Sequence, residues 1–197
     1  MTTCCQILEL RQYTLKPGAR DTLIEIFDRE FVEPQEALGM RIVGQFRDLD
    51  RADRFVWVRG FADMTTRAHA LKAFYTGPVW KAHRDAANAT MLDSDNVLLL
   101  RSVRPFGLTG TRDGPPPSRT LYATIVYFDE RPTEDVLASI APSALAVFTT
   151  EYSPNTFPAL PVRTGENVVV VFGDRPYPHS NRTETLRLSP TERSLLR

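Results

Sequence analysis

Two short stretches carry residues that could do chemistry together. In ILELRQY (7–13) Glu9, Arg11 and Tyr13 recur at every second position, and in FVWVRGFAD (55–63) Trp57, Arg59 and Phe61 do the same. Strand side chains alternate between faces, so each trio shares one face of its strand. A carboxylate beside two guanidinium groups, framed by aromatic rings, suits an anion or a polarised carbonyl. Arg11 and Arg59 would stabilise developing negative charge. Glu9 would take a proton, while Tyr13, Trp57 and Phe61 would hold an apolar ring. The same residues could equally form a structural ion-pair network, Glu9 with Arg11 or Arg59, with no ligand involved.

His83, in VWKAHRD, is a second candidate for proton transfer because imidazole titrates near neutral pH. Trp80 beside it would contact substrate. The alternative for His83 is a half-exposed helix position. His69 and His179 read as solvated residues, and Tyr75 reads as packing. Glu151–Asn155, Asp48, Asp50 and Asp53 read as solvated loops. No metal site is expected, since the histidines lie far apart and Cys4 and Cys5 lack ligand spacing. Residues 107–114 contain glycines but neither a phosphate loop nor a dinucleotide fingerprint. No cofactor is expected.

The elements that must position these residues run twice along the chain. Alternating residues 7–13 form a strand with Leu8, Leu10 and Gln12 on the face opposite Glu9. A helix over about 21–37 follows, with Leu23, Ile26, Phe27 and Phe31 on one stripe, Pro34 ending or kinking it, and Gly39 stopping it. Strands at 41–46 and 55–63 flank a charged loop, 47–54. Thr65 or Thr66 caps a helix that Gly77 breaks, a second helical piece starts at Pro78, and 96–105 is a strand. Residues 121–127, 133–145, 148–152 and 168–174 repeat strand, helix, strand, strand, and 183–190 supplies a last strand. Overlaying the halves puts Glu9 on Ala123, Arg11 on Ile125, Trp57 on Val168 and Arg59 on Val170, so the repeat keeps its pattern and loses its charges. The expected units are 1–106, a Gly/Pro-rich linker at 107–119, and an abbreviated unit at 120–197. In this α+β arrangement of two βαββαβ units, the second abbreviated, packed sheet to sheet as an internal pseudo-dimer, helices cover the Leu/Val faces. The polar faces line a cavity between the two sheets.

With 24 Lys+Arg against 24 Asp+Glu, nothing drives the chain toward nucleic acid or an anionic membrane. No apolar run is long enough to span a bilayer. Vicinal cysteines rarely pair, because their side chains point apart in an extended chain. Unpaired Cys4 and Cys5 therefore suggest a reducing, cytoplasmic setting. A homodimer is a further expectation.

The chain resembles the NIPSNAP family, through residues 9–18 (ELRQYTLKPG), 38–46 (LGMRIVGQF), 54–63 (RFVWVRGFAD), 74–88 (FYTGPVWKAHRDAAN) and 96–105 (NVLLLRSVRP). Residues 184–194 (ETLRLSPTERS) also look like a family ending. The resemblance implies a ferredoxin-like dimeric α+β barrel. Relatives of that fold include cofactor-free monooxygenases, haem-degrading monooxygenases, and small isomerases or cyclases. The expected function is binding of a hydrophobic, oxygenated small molecule, by a cofactor-free enzyme or by a non-enzymatic binding protein. Haem binding through His83 is a weaker alternative.

Overall fold

The computed structural model of the chain describes residues 4–115 and 118–197; Met1–Thr3 and, within the expected linker, Pro116 and Pro117 lie outside the described residues. Eight strands form a closed antiparallel barrel. In chain order they are β1 (Ile7–Leu15), β2 (Arg41–Asp48), β3 (Arg54–Phe61), β4 (Met91–Ser102), β5 (Leu121–Tyr127), β6 (Ala146–Thr150), β7 (Val168–Gly173) and β8 (Thr183–Pro190). Around the barrel they run β1-β3-β2-β8-β5-β7-β6-β4. Each half thus has the order fourth-first-third-second, and the halves join where the second strand of one meets the fourth of the other, at β2–β8 and β4–β6. The repeat read from the sequence is a topological repeat closed about a pseudo-twofold.

The barrel interior is filled by Leu8, Leu10, Val56 and Val58 from the first half and by Ala123, Ile125, Val168 and Val170 from the second. This overturns the expectation that the charged face looks into the space between the sheets. An eight-stranded barrel is only just wide enough for side chains to fill, and branched aliphatics fill it here without leaving polar groups to satisfy. The charged face of β1 and β3 points outward, under the helices. The overlay of the halves was one residue out of step, and such a slip exchanges the two faces of a strand. In the observed registers Glu9 opposes Arg59 and Arg11 opposes Trp57, while Thr124 opposes Val171 and Val126 opposes Val169. The second half does lose the charges, at Thr124, Val126, Val169 and Val171.

Helices α1 (Arg20–Ile26) and α2 (Val32–Ala37) are joined by a π-helical turn, Phe27–Phe31. Pro34 does not end this path: it lies in the first turn of α2, where a missing N–H costs little. Gly39, at φ +90°, takes the left-handed conformation after the helix end. Helix α3 (Met64–Thr76) is capped by Asp63, whose side chain accepts from Thr66 N at 2.6 Å, rather than by a threonine. Helix α4 (Pro78–Asn88) follows directly. Helix α5 (Glu134–Ser139) stops well before the expected residue 145. Pro142 disfavours a helical Ala141, which sits at φ +46°.

Cys4 and Cys5 form a vicinal disulfide, which corrects the expectation of unpaired thiols and removes its support for a reducing compartment. Cys5 fits against Gly60, where a Cβ would collide with the sulfur. No helix among the described residues is long and apolar enough to cross a membrane.

The described part of the linker is docked on the C-terminal segment. Gly110 N donates to Leu195 O at 2.9 Å, and Arg112 reaches Arg193 O, Glu36 and Ile42 O. A Cβ on Gly110 would lie 2.7 Å from Leu195 O and 2.8 Å from Ser194 O, both backbone atoms that cannot swing away. Gly110→Ala is therefore expected to lower stability by about 1–3 kcal/mol, the usual cost of overpacking, measured by denaturant unfolding. An unchanged midpoint would mean the linker is not anchored there.

Candidate functional site

Between the outer face of β1 and β3 and the helices lies a cavity of about 330 Å³. Its helical wall is Leu23, Phe27 and Phe31 with Phe74, Tyr75 and Trp80, and its sheet wall is Arg11, Tyr13 and Trp57. The apolar stripe of the first helical segment is responsible for the first wall: the wide π turn brings Phe27 and Phe31 to the same side. Phe27 packs edge-on to Trp57, with centroids 4.7 Å apart. The roof comes from the other half of the molecule, where Phe157, Ala159 and Leu160 in the segment between β6 and β7 close over it.

Behind the sheet wall sits Glu9, fully buried among three guanidinium groups. Its Oε2 accepts from Arg11 Nη1 at 2.7 Å and from Arg59 Nη2 at 2.7 Å, and its Oε1 accepts from Arg67 Nε at 2.8 Å. These arginines pair with no other carboxylate among the described residues, so one negative charge faces three positive ones. Burial alone would raise the Glu9 pKa, but Arg59, Arg11 and Arg67 together hold it far below the usual carboxylate range. Burial works against the Arg11 charge too, yet Tyr13 and Glu9 keep it firmly protonated. Arg59 and Arg11 also lie against Trp57, their guanidinium carbons 4.9 and 5.5 Å from the ring.

Of the residues expected in the site, Arg11, Tyr13, Trp57 and Trp80 border the cavity. Glu9 and Arg59 lie behind them. Arg59 is spent on Glu9, on Gln35 Oε1 at 2.8 Å and on Tyr75 OH at 3.3 Å. Phe61 is buried beneath Arg59 and Arg67 instead of lining the cavity. His83 is half-exposed on α4, 3.2 Å from Glu30 Oε2, and does not border the cavity.

Sequence reasoning missed Arg67, Gln35 and Asn155. Arg67 carried no signal, being one basic residue on a helix of low amphipathicity. Its fully buried side chain donates through Nη1 to Asn155 Oδ1 at 2.9 Å and to Thr156 Oγ1 at 3.2 Å, tying the roof to the charge cluster. Within 151–155, Tyr152, Ser153 and Pro154 are exposed as expected of a solvated loop, but its two ends are not solvated: Asn155 is held by Arg67, and Glu151 is buried and binds Arg101 and Ser153. Asp48 is likewise buried, accepting from Asp50 N and Arg51 N. Tyr75, read as packing, lines the cavity.

The NIPSNAP family model matches residues 8–103, the segment that contributes Glu9, Arg11, Trp57, Arg59 and Arg67. That segment, about half of the chain, is a NIPSNAP unit. No curated protein matches it. A NIPSNAP-like domain protein from Burkholderia xenovorans is 22% identical over 55% of this chain and 91% of its own, with a TM-score of 0.45. Other solved structures match nearly the whole chain. A monooxygenase-like protein from Fusobacterium nucleatum covers 96% of this chain and 94% of its own at 9% identity and a TM-score of 0.59. An anthrone oxidase-like protein covers 94% and 91% at 11% identity and a TM-score of 0.51. At such identities these likenesses show the fold: NIPSNAP sequence fills one half of a two-unit dimeric α+β barrel.

Two carboxylates set opposite pH dependences. Glu9 has a folded pKa far below its unfolded value of about 4.3. Its stabilisation is complete above that value and is lost as pH falls through it toward the folded pKa. Glu9→Gln leaves three buried cations without a counter-charge and is expected to cost about 3–5 kcal/mol at pH 7, read from urea unfolding. Asp28, on the π turn, is pushed up to about 6 by burial, against the pull of Arg193 and a hydrogen bond from Gln45. Between its unfolded pKa of about 3.9 and that value the folded state holds the extra proton, so this group makes stability fall as pH rises. Asp28→Asn should remove that slope in unfolding free energies measured from pH 4 to 7; an unaltered slope would reject the assignment.

Proposed function

We propose that the cavity binds a hydrophobic small molecule carrying an anionic oxygen function, with its ring against the aromatic wall that Trp57, Phe27 and Phe31 form and the anion at Arg11. The observation that supports this reading most directly is the excess of buried positive charge directly behind an aromatic cavity. Buried charge without a partner is costly, and an anionic ligand would relieve it. Arg11 Nη1 is held by Glu9 and its Nε by Tyr13 OH at 3.2 Å, whereas Nη2 makes no hydrogen bond among the described residues. In this reading Glu9 is a positioning residue: it fixes Arg11 and Arg59 and does not act as a base. Arg59 in turn sets Glu9, Gln35 and Tyr75.

As an enzyme, such a site would act by stabilising a substrate enolate or phenolate. Isomerisation, cyclisation and oxygen insertion into an electron-rich ring all pass through that kind of anion. The names of the monooxygenase-like and anthrone oxidase-like structures are in keeping with the last of these. Haem binding is not carried forward, because His83 is turned to Glu30 and not to the cavity. A non-enzymatic binding protein is the second reading; what favours it is that no carboxylate or imidazole borders the cavity among the described residues.

Both tryptophans of the chain line the cavity, so intrinsic fluorescence reports its occupancy. 2-Naphthoate is expected to quench it saturably, and 2-naphthalenemethanol much more weakly. Arg11→Ala should reduce naphthoate affinity by roughly 10- to 100-fold, the scale of a charge-assisted hydrogen bond lost in a dry site. Equal affinity for the neutral alcohol, or an unaffected Arg11→Ala protein, would reject the anion site.

A further inference from the structure

Polar side chains line both ends of the cavity. At one end Arg11 and Gln35 are buried and Tyr75 OH is bound to Arg59, so this end closes on the Glu9 cluster. At the other stand Ser94, half-buried, and Asn88, exposed. The register of β4 on β1 sets their separation. Asn96 opposes Gln12 and Asp93 opposes Thr14, so Ser94 is level with Tyr13, two residues along β1 from Arg11. Met91, also on the cavity wall, opposes Leu15, four residues along. At about 3.3 Å per residue these levels are roughly 7 and 13 Å from Arg11. Asn88 belongs to the same end, because Thr90 O, just beyond it, accepts from Lys16 N at 2.8 Å. Contacts here use neighbouring groups: Thr90 Oγ1 donates to Ala87 O at 2.6 Å, and Asp95 N to Asp93 Oδ1 at 2.8 Å. The Ser94 hydroxyl and the Asn88 amide make no hydrogen bond among the described residues, and no cation among them lines this end.

Resting on the anion reading above, we infer that the ligand is oxygenated at both ends: its anion meets Arg11, and a neutral hydroxyl or carbonyl oxygen at its remote end meets Ser94 and Asn88. A hydroxyl and an amide can each donate and accept and carry no charge, which suits an uncharged oxygen function. Asp93 and Asp95, exposed on either side of Ser94 in the chain, make this end a poor place for a second anion. A ligand with an apolar remote end takes water from the Ser94 hydroxyl and the Asn88 amide and returns nothing, whereas one bearing an oxygen restores those bonds. The aromatic wall between the ends accepts any flat apolar frame of suitable length and does not discriminate. Ser94 and Asn88 are then specificity-determining residues, and Arg11 supplies affinity. The substrate class is an elongated ring system with an acidic oxygen function at one end and a hydroxyl or ketone at the other.

Two pairs of probes test this by calorimetric titration of the full chain at pH 7, where carboxylates are ionised and phenolic hydroxyls are not. They are 2-naphthoate against 6-hydroxy-2-naphthoate, and biphenyl-4-carboxylate against 4′-hydroxybiphenyl-4-carboxylate. The hydroxyl is expected to tighten binding in at least one pair by about 3- to 10-fold, the net value of one neutral hydrogen bond. Ser94→Ala combined with Asn88→Ala should make the two members of that pair bind equally; neither side chain belongs to the core, so the variant keeps its fold. No gain from the hydroxyl in either pair, with the plain acids still bound and still weakened by Arg11→Ala, would overturn the inference and leave the anion site standing. A gain that survives the double substitution would overturn the assignment of Ser94 and Asn88. Failure of all four acids to bind would overturn both readings.

Discussion

The structure depends on one buried carboxylate. Among the described residues Glu9 is the only negative charge set against Arg11, Arg59 and Arg67, and it fixes the direction of all three. Arg59 reaches from it to Gln35 of α2 and Tyr75 of α3, Arg67 reaches to the roof segment, and Arg11 reaches to the cavity. Buried ion pairs are weak contributors to stability when compared with apolar replacements. Their presence under four helical segments, where aliphatic side chains would pack as well, suggests retention for specificity of arrangement or for ligand binding.

Barrel closure explains why such a cluster lies outside the barrel. The interior is a shared core to which all eight strands contribute apolar side chains. Any charge placed there would have to be satisfied within a space that side chains already fill. The outer face of the first sheet is different, because α1 to α4 cover it with long aromatic residues and leave room at their edges. In the second half a single short helix, α5, covers the corresponding face, with Ile140, Ala141, Val147, Val169 and Val171 forming a small apolar cluster there. Fewer covering elements leave a smaller protected volume, and among the described residues that face carries no comparable charged cluster.

Much of this was legible from period alone. Alternation in residues 7–13 and 55–63 identified the strands and grouped Glu9, Arg11, Tyr13, Trp57 and Arg59 correctly, and the repeat of strand order predicted two fused units. What alternation cannot say is which face is inside. Both faces of β1 are buried, one against the barrel and one against helices, so hydrophobicity gave no preference and the assignment was inverted. Arg67 and Asn155 were invisible for a related reason: each is a lone polar residue in an ordinary local context, made significant only by contacts 58 and 88 positions distant in the chain. The π turn at Phe27–Phe31 also has no signature in the residue pattern, which fits an uninterrupted helix equally well.

The roof over the cavity comes from the half that lacks the charges. Two identical subunits arranged about a true twofold would each lend the other a roof and would each own a chamber, and any substitution would appear in both places. Fusion into one polypeptide releases the halves from that obligation. One has become the vessel and the other its stopper, so fine-tuning of entry can proceed in residues 153–162 without disturbing the strands that hold the charge.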